Sequence, residues 1–160
     1  MLSAVSVGFF FILIGALFIV TPGLSNKVVD FLSNFTTRQV GTTNTYVPVP
    51  KDFGAHLDVY VAARLFSLVW GVFLIAMLGA RFILGSPLRR KAENLGDIVF
   101  WLGAVYLIQT YLVQPAQASA ISASDYVTDW FEFWALIIAL IGISLIARGI
   151  FLAVARARNM

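Results

Sequence analysis

Long apolar runs alternate with short polar segments along this chain, and the lengths of the runs set the first expectation. Leu2 to Val20, LSAVSVGFFFILIGALFIV, is almost free of polar residues and stops at Thr21-Pro22-Gly23. A second run extends from about Val59 to Gly85, a third from Asp97 to Val113 before Gln114-Pro115, and a fourth from Trp130 to about Val154. A bilayer core of about 30 Å is crossed by about 20 apolar residues in a helix. The pattern predicts one all-α integral membrane domain, residues 1–160, built as a four-helix transmembrane bundle with spans at 2–20, 59–85, 97–113 and 130–154. The first run lacks a basic start and is longer than the apolar core of a cleaved signal peptide, so a retained helix is expected.

The polar segments between the runs carry their own patterns. Residues 21–58 are read as a structured external cap. Within it, NKVVDFLSNF has the composition of a short amphipathic helix, capped by Ser25 or Asn26, with Val28, Val29, Leu32 and Phe35 on one face. TTRQV, GTTN and TYVPV then read as a small β-hairpin, with Pro48 and Pro50 making its end extended and weak in ladder bonding. The cap either closes the bundle or docks another subunit or an external ligand. Asn34-Phe35-Thr36 forms an N-glycosylation sequon. Residues 114–129 read as a plain external connector, with Asp129 as the cap or first-turn acid of the fourth span.

Charge gives the direction of threading. The expected loop 86–96 contains Arg89, Arg90 and Lys91, with Arg81 before it, and the tail 155–160 contains Arg156 and Arg158 after Arg148. The other side carries Lys27, Arg38, Lys51 and Arg64 in longer segments. Short basic segments stay in the cytoplasm, so both termini and 86–96 are expected there, in a plasma membrane. Composition agrees: 60% of the 160 residues are hydrophobic and 12% charged, with a net charge of only +3. That balance suits a lipid environment and shows no nucleic-acid surface. With no cysteine and one histidine, thiolate chemistry, disulfides and cysteine-held metal or cluster sites are excluded. No cofactor is expected.

The polar residues inside the runs are the candidate sites. Tyr60, Arg64, Ser67 and Gly71 recur at helical spacing and form one stripe. Ala135, Ala139, Gly142 and Gly149 form a small-residue packing seam in the fourth span, with Glu132 at its outer end. Spans two and four run in the same direction, which predicts an Arg64–Glu132 ion pair, with Asp129 or Asp58 as alternative partners of Arg64. Gln109 is read as hydrogen-bonding glue between helices or as part of a polar path with Arg64, Ser67 and Glu132. Arg81, Asp97 and Arg148 are expected to cluster at the inner end. Gly8 and Gly15 predict close packing of the first span. Trp130 and Trp134 suit the outer interface, Trp101 the inner one, and Trp70 a place between helices.

The run from Ser67 to Ile108, SLVWGVFLIAMLGARFILGSPLRRKAENLGDIVFWLGAVYLI, resembles small four-span membrane proteins of archaea to which no activity is attached. The resemblance implies a prokaryotic plasma membrane and nothing about chemistry. No nucleophile, metal-ligand set or catalytic pair stands out in the sequence. The expected function is therefore a non-catalytic scaffold or accessory subunit, in contact with membrane lipids and with other membrane subunits or copies of itself. The alternative is a small oligomeric channel or transport protein.

Overall fold

The computed structural model describes residues 2–118 and 123–157. Arg158 and residues 119–122 of the connector lie outside the described residues. The chain is mostly helical with one small two-stranded antiparallel sheet. Three helices are long and apolar enough to cross a membrane, or four elements if the bent pair at the start counts as one crossing. Helix α1 spans Leu2–Val20 and α2 spans Leu24–Ser33. They meet at a 92° bend, with Gly23 at φ 70 between them, a conformation open to glycine and strained for other residues. Helix α2 therefore lies across the end of α1. Its inner face is Leu24, Val28 and Phe31, while Val29 and Leu32 face outward and Gly23 is the N-cap without a side-chain bond. The face and the Ser25 or Asn26 cap expected from the sequence are thus corrected. The bend turns α2 so that its Phe31 face meets the end of α3.

The hairpin pairs β1, Phe35–Gln39, with β2, Tyr46–Pro50, in the register Phe35 opposite Pro50 and Arg38 opposite Val47. Val49 and Pro50, at the end of β2, are fully buried. A short 3₁₀ turn, Gly54–His56, leads into α3, Leu57–Ile83. Helix α3 ends at Gly85, whose φ of 62 reverses the chain. Helix α4 then begins at Leu88 and runs to Ile108. The expected cytoplasmic loop 86–96 is therefore mostly helix. Pro87 suits a helix start, and RRKAEN is rich in good helix formers. The chain continues through a π turn, Gln109–Val113, into α5, Gln114–Gln117. Gln114-Pro115 was expected to end the helix. Instead the π turn absorbs the defect: Pro115 has no N–H and crowds the preceding turn, and an i−5 bond from Gln114 N–H to Gln109 carbonyl widens the helix just before it. Helix α6 runs Ala123–Ala157, starting earlier than 130, so Asp125 and not Asp129 is its first-turn acid.

The long helices stand in a row. Helix α1 packs on α3, α3 on α4, and α4 on α6, so α4 separates α3 from α6. Three glycines set this order. A Cβ on Gly71 would lie 2.9 Å from Leu102 Cδ2, one on Gly103 would lie 2.5 Å from Leu140 Cδ1, and one on Gly96 would lie 3.0 Å from the Ser144 carbonyl oxygen. Each lets a neighbouring helix approach closely. Helix α1 is held by aromatic rings, with Phe9 stacked on Phe73 at 4.1 Å and Phe10 against Trp70 at 5.7 Å. Gly8 and Gly15 face open space, so the close packing expected of them within the chain is not made. The main core joins the cap to the helices, with Phe53, Tyr60, Val113, Tyr126 and Trp130 in one cluster.

Candidate functional site

The polar stripe on α3 faces α4. Tyr60 and Ser67 are buried, Arg64 is half-buried, and Gly71 receives Leu102. The Arg64 guanidinium donates to Gln109 Oε1 at the start of the π turn. This replaces the expected Arg64–Glu132 pair. The reason is the order of the helices: α4 fills the space between α3 and α6, and Gln109 reaches Arg64 first. Glu132 faces outward and makes no ion pair among the described residues. The Ser67 hydroxyl donates to Ala63 carbonyl in its own helix at 2.8 Å. The hydroxyls of Tyr60 and Tyr126 are buried with no hydrogen-bond partner among the described residues.

The small-residue seam on α6 also turns away from the chain. Ala135, Ala139 and Gly149 are outward-facing, and Gly142 and Gly149 have open space where a side chain would stand. The face of α6 that meets α4 carries instead Leu140, Ser144 and Arg148. Trp70 sits between α1 and α3, stacked near Phe66 and Phe73, and Trp101 packs edge-on against Phe66. Trp101 was expected at the inner interface. The early start of α4 places it well along that helix.

At the end remote from the cap, Asp97 lies within electrostatic reach of both Arg148 and Arg81, and among the described residues it makes no direct ion pair with either. Arg148 bonds Glu93 at 3.0 Å, and Arg89 bonds the same carboxylate oxygen at 3.1 Å. Arg81 donates to Arg90 carbonyl at 2.5 Å, tying α3 to the first turn of α4. With α4 starting at Leu88, Asp97 lies inside the helix, and Glu93 is the carboxylate that reaches Arg148 and Arg89. Beside them Asn94, 2% exposed, donates to Leu74 carbonyl at 2.7 Å. Glu93 and Asn94 were not singled out by sequence pattern. The signal for Glu93 was its i,i+4 spacing from Arg89.

The cap is tied down by polar contacts. Lys27 bonds Asp58 at 2.5 Å, and Trp130 Nε1 donates to Pro48 carbonyl at 2.9 Å. Asn34 Nδ2 lies 3.2 Å from Nε2 of buried His56. A neutral imidazole accepts that bond, and burial pushes the His56 pKa down, with Asp52 and Asp30 partly offsetting. The same contact engages one of the two N–H bonds of the sequon's amide. Between the cap and α6 lies an open groove of about 580 Å³, walled by Phe31, Leu32, Val47, Phe131 and Trp134. Its surface is carbon almost throughout.

Among the described residues, no three His, Asp or Glu side chains come together as a metal site. The features together define a helical chain of membrane-protein character, with three to four elements apolar enough to cross a bilayer. Comparison with protein-family models, with curated proteins and with solved structures gave no match for the chain.

Proposed function

We propose that the chain is a multi-pass plasma-membrane protein that acts as a non-catalytic scaffold or accessory subunit, packing with other membrane subunits or with copies of itself. It spans four times, with α1 as the first crossing, the cap outside, and both termini and the start of α4 in the cytoplasm. The single observation that carries the packing role is the open seam on α6. Ala135, Ala139, Gly142 and Gly149 line a helix surface that nothing among the described residues covers. Small residues on a lipid-facing surface let a second helix approach closely. Basic side chains at Arg81, Arg89, Arg90, Lys91 and Arg148 support the cytoplasmic assignment of that end.

No contact favours the channel alternative. Arg64 and Gln109 bond each other, Ser67 bonds its own helix, and Glu132 stands on a helix that α4 separates from α3. Of these groups, Arg64 and Gln109 fasten two helices together. The test is gentle detergent extraction from native membranes, with a mass measurement and identification of every co-purifying chain. Foreign partners or a defined homo-oligomer are expected; a monodisperse single chain at native concentration would refute the proposal. Because the chain has no cysteine, single cysteines introduced at Arg89 and Gln39 report topology. Impermeant reagent should label Gln39→Cys and spare Arg89→Cys in intact cells.

A further inference from the structure

We infer that the groove between the cap and α6 is a binding site for one phosphate-bearing membrane lipid, with its chain in the groove and its headgroup at Arg38. The inference rests on the membrane reading above. The walls explain the chain. A cavity of about 580 Å³ lies within the roughly 300–1,000 Å³ range of small-ligand sites. It has almost no polar surface, so water there lacks the two to four hydrogen-bond partners that a buried water typically uses. Even the indole N–H of Trp130 is already given to Pro48. An extended peptide would leave its own backbone groups unpaired against such walls. A docking helix needs several turns of contact, whereas α6 contributes only Trp130 to Trp134, about 6 Å of helix. Hydrocarbon has no polar groups to satisfy. The groove wall also continues directly into the outward-facing apolar surface of α6 at Ile138 and Ile141, so a chain can leave the groove along the helix.

Arg38 supplies the headgroup contact. It stands opposite Val47 in the hairpin, and Val47 lines the groove. Its guanidinium lies 5.6 Å above the Tyr126 ring, and Tyr126 is one helical turn before Trp130. The cation is thus held against the residue one turn, about 6 Å of helix rise, before the tryptophan in the groove. It is exposed and forms no salt bridge among the described residues. At about 100° per residue, Trp130, Trp134 and Phe131 turn to one side of Tyr126 along α6, while Asp125, Asp129 and Glu132 turn to the other. Neither Asp129 nor Glu132 forms a salt bridge with Arg38 among the described residues. A cation at the rim and a hydrocarbon trough below it form the complement of a phospholipid.

The experiment uses the full chain, delipidated in detergent and titrated with phosphatidylglycerol, with bound lipid counted by native mass spectrometry. The wild-type chain should retain one lipid. Arg38→Gln should weaken retention about tenfold, as expected for loss of a charge-assisted phosphate contact. Val47→Phe and, from another wall, Leu32→Phe should abolish it while keeping wild-type helicity and thermal midpoint. Equal retention by wild type and both folded groove-filling variants overturns the inference. So does displacement of the lipid by inorganic phosphate alone, which would make Arg38 an anion site without a chain. A dimer mass that Val47→Phe removes would give the groove to a second copy, and would also overturn it. Release of the chain from membranes by alkaline wash would refute the membrane reading itself. A firmly embedded chain that keeps no lipid refutes only this inference.

Discussion

Arg64 on α3 donates a hydrogen bond to Gln109 on the π turn that follows α4, and this contact joins two helices through the most polar pair within the long apolar segments. Replacing Gln109 with Leu leaves a half-buried guanidinium without its acceptor. Hydrogen bonds to charged groups contribute about 1.5–3 kcal/mol, so Gln109→Leu should destabilise by that order. Arg64→Met combined with Gln109→Leu should cost less than the sum of the two single changes. Glu132→Gln should change stability by less than about 0.5 kcal/mol, as for a surface substitution. Thermal unfolding in detergent measures all four; strictly additive losses would contradict the pairing.

The two kinds of glycine should behave in opposite ways. On Gly96 a methyl group would meet the Ser144 carbonyl oxygen at 3.0 Å, a backbone atom that cannot swing aside. Gly96→Ala is expected to cost about 1–3 kcal/mol by overpacking. Gly142 has open space around it, so Gly142→Ala should be neutral or stabilise the isolated chain by up to about 1 kcal/mol through helix propensity. Unfolding midpoints of the two variants, taken on the monomer, make the comparison.

Cap stability should fall in acid through His56. Burial lowers the folded-state pKa of this histidine below the ordinary 6.5, so the folded state binds fewer protons than the unfolded one. The stabilisation is present above pH 6.5 and is lost as pH drops below that value toward the folded pKa. Protonation of Nε2 also removes the acceptor for Asn34. Trp130 fluorescence followed during denaturation from pH 8 to pH 5 should show a falling midpoint. His56→Gln should flatten that dependence, and an unchanged slope in the variant would assign it to other groups.

Tyr60 is 2% exposed and its hydroxyl has no partner among the described residues. An unpaired buried polar group costs about 1–3 kcal/mol. Tyr60→Phe keeps the ring contact with Phe53, at 5.0 Å between centroids, and removes the hydroxyl. The variant should unfold at the same temperature as the wild type or a higher one. A lower midpoint would show that the hydroxyl is bonded in solution.

The long helices were legible because their apolar runs match the bilayer length, and the hairpin was legible from the turn residues between TTRQV and TYVPV. The Tyr60–Arg64–Ser67–Gly71 stripe was also legible as a packing face. Its partner was not, since a face does not say which helix lies opposite, and α4 takes the place assigned to α6. Glycine spacing has the same limit. Gly96 and Gly103 in α4 are seven apart, as are Gly142 and Gly149 in α6, yet only the first pair is covered. The start of α4 was hidden because Arg89, Arg90 and Lys91 carry the charge of a loop together with the helix propensity of a first turn. The π turn depends on the fit of Pro115 to the preceding turn, which no periodicity records.

The proposed packing surface for another membrane chain is the uncovered seam of α6. The direct test replaces Gly142 and Gly149 together by Leu and measures the mass of the detergent-extracted assembly. Gly142 and Gly149 meet nothing among the described residues, so the thermal midpoint of the monomer should be unchanged while the assembly falls to the mass of a single chain. An assembly of unaltered mass, carrying two leucines on that surface, would contradict the claim.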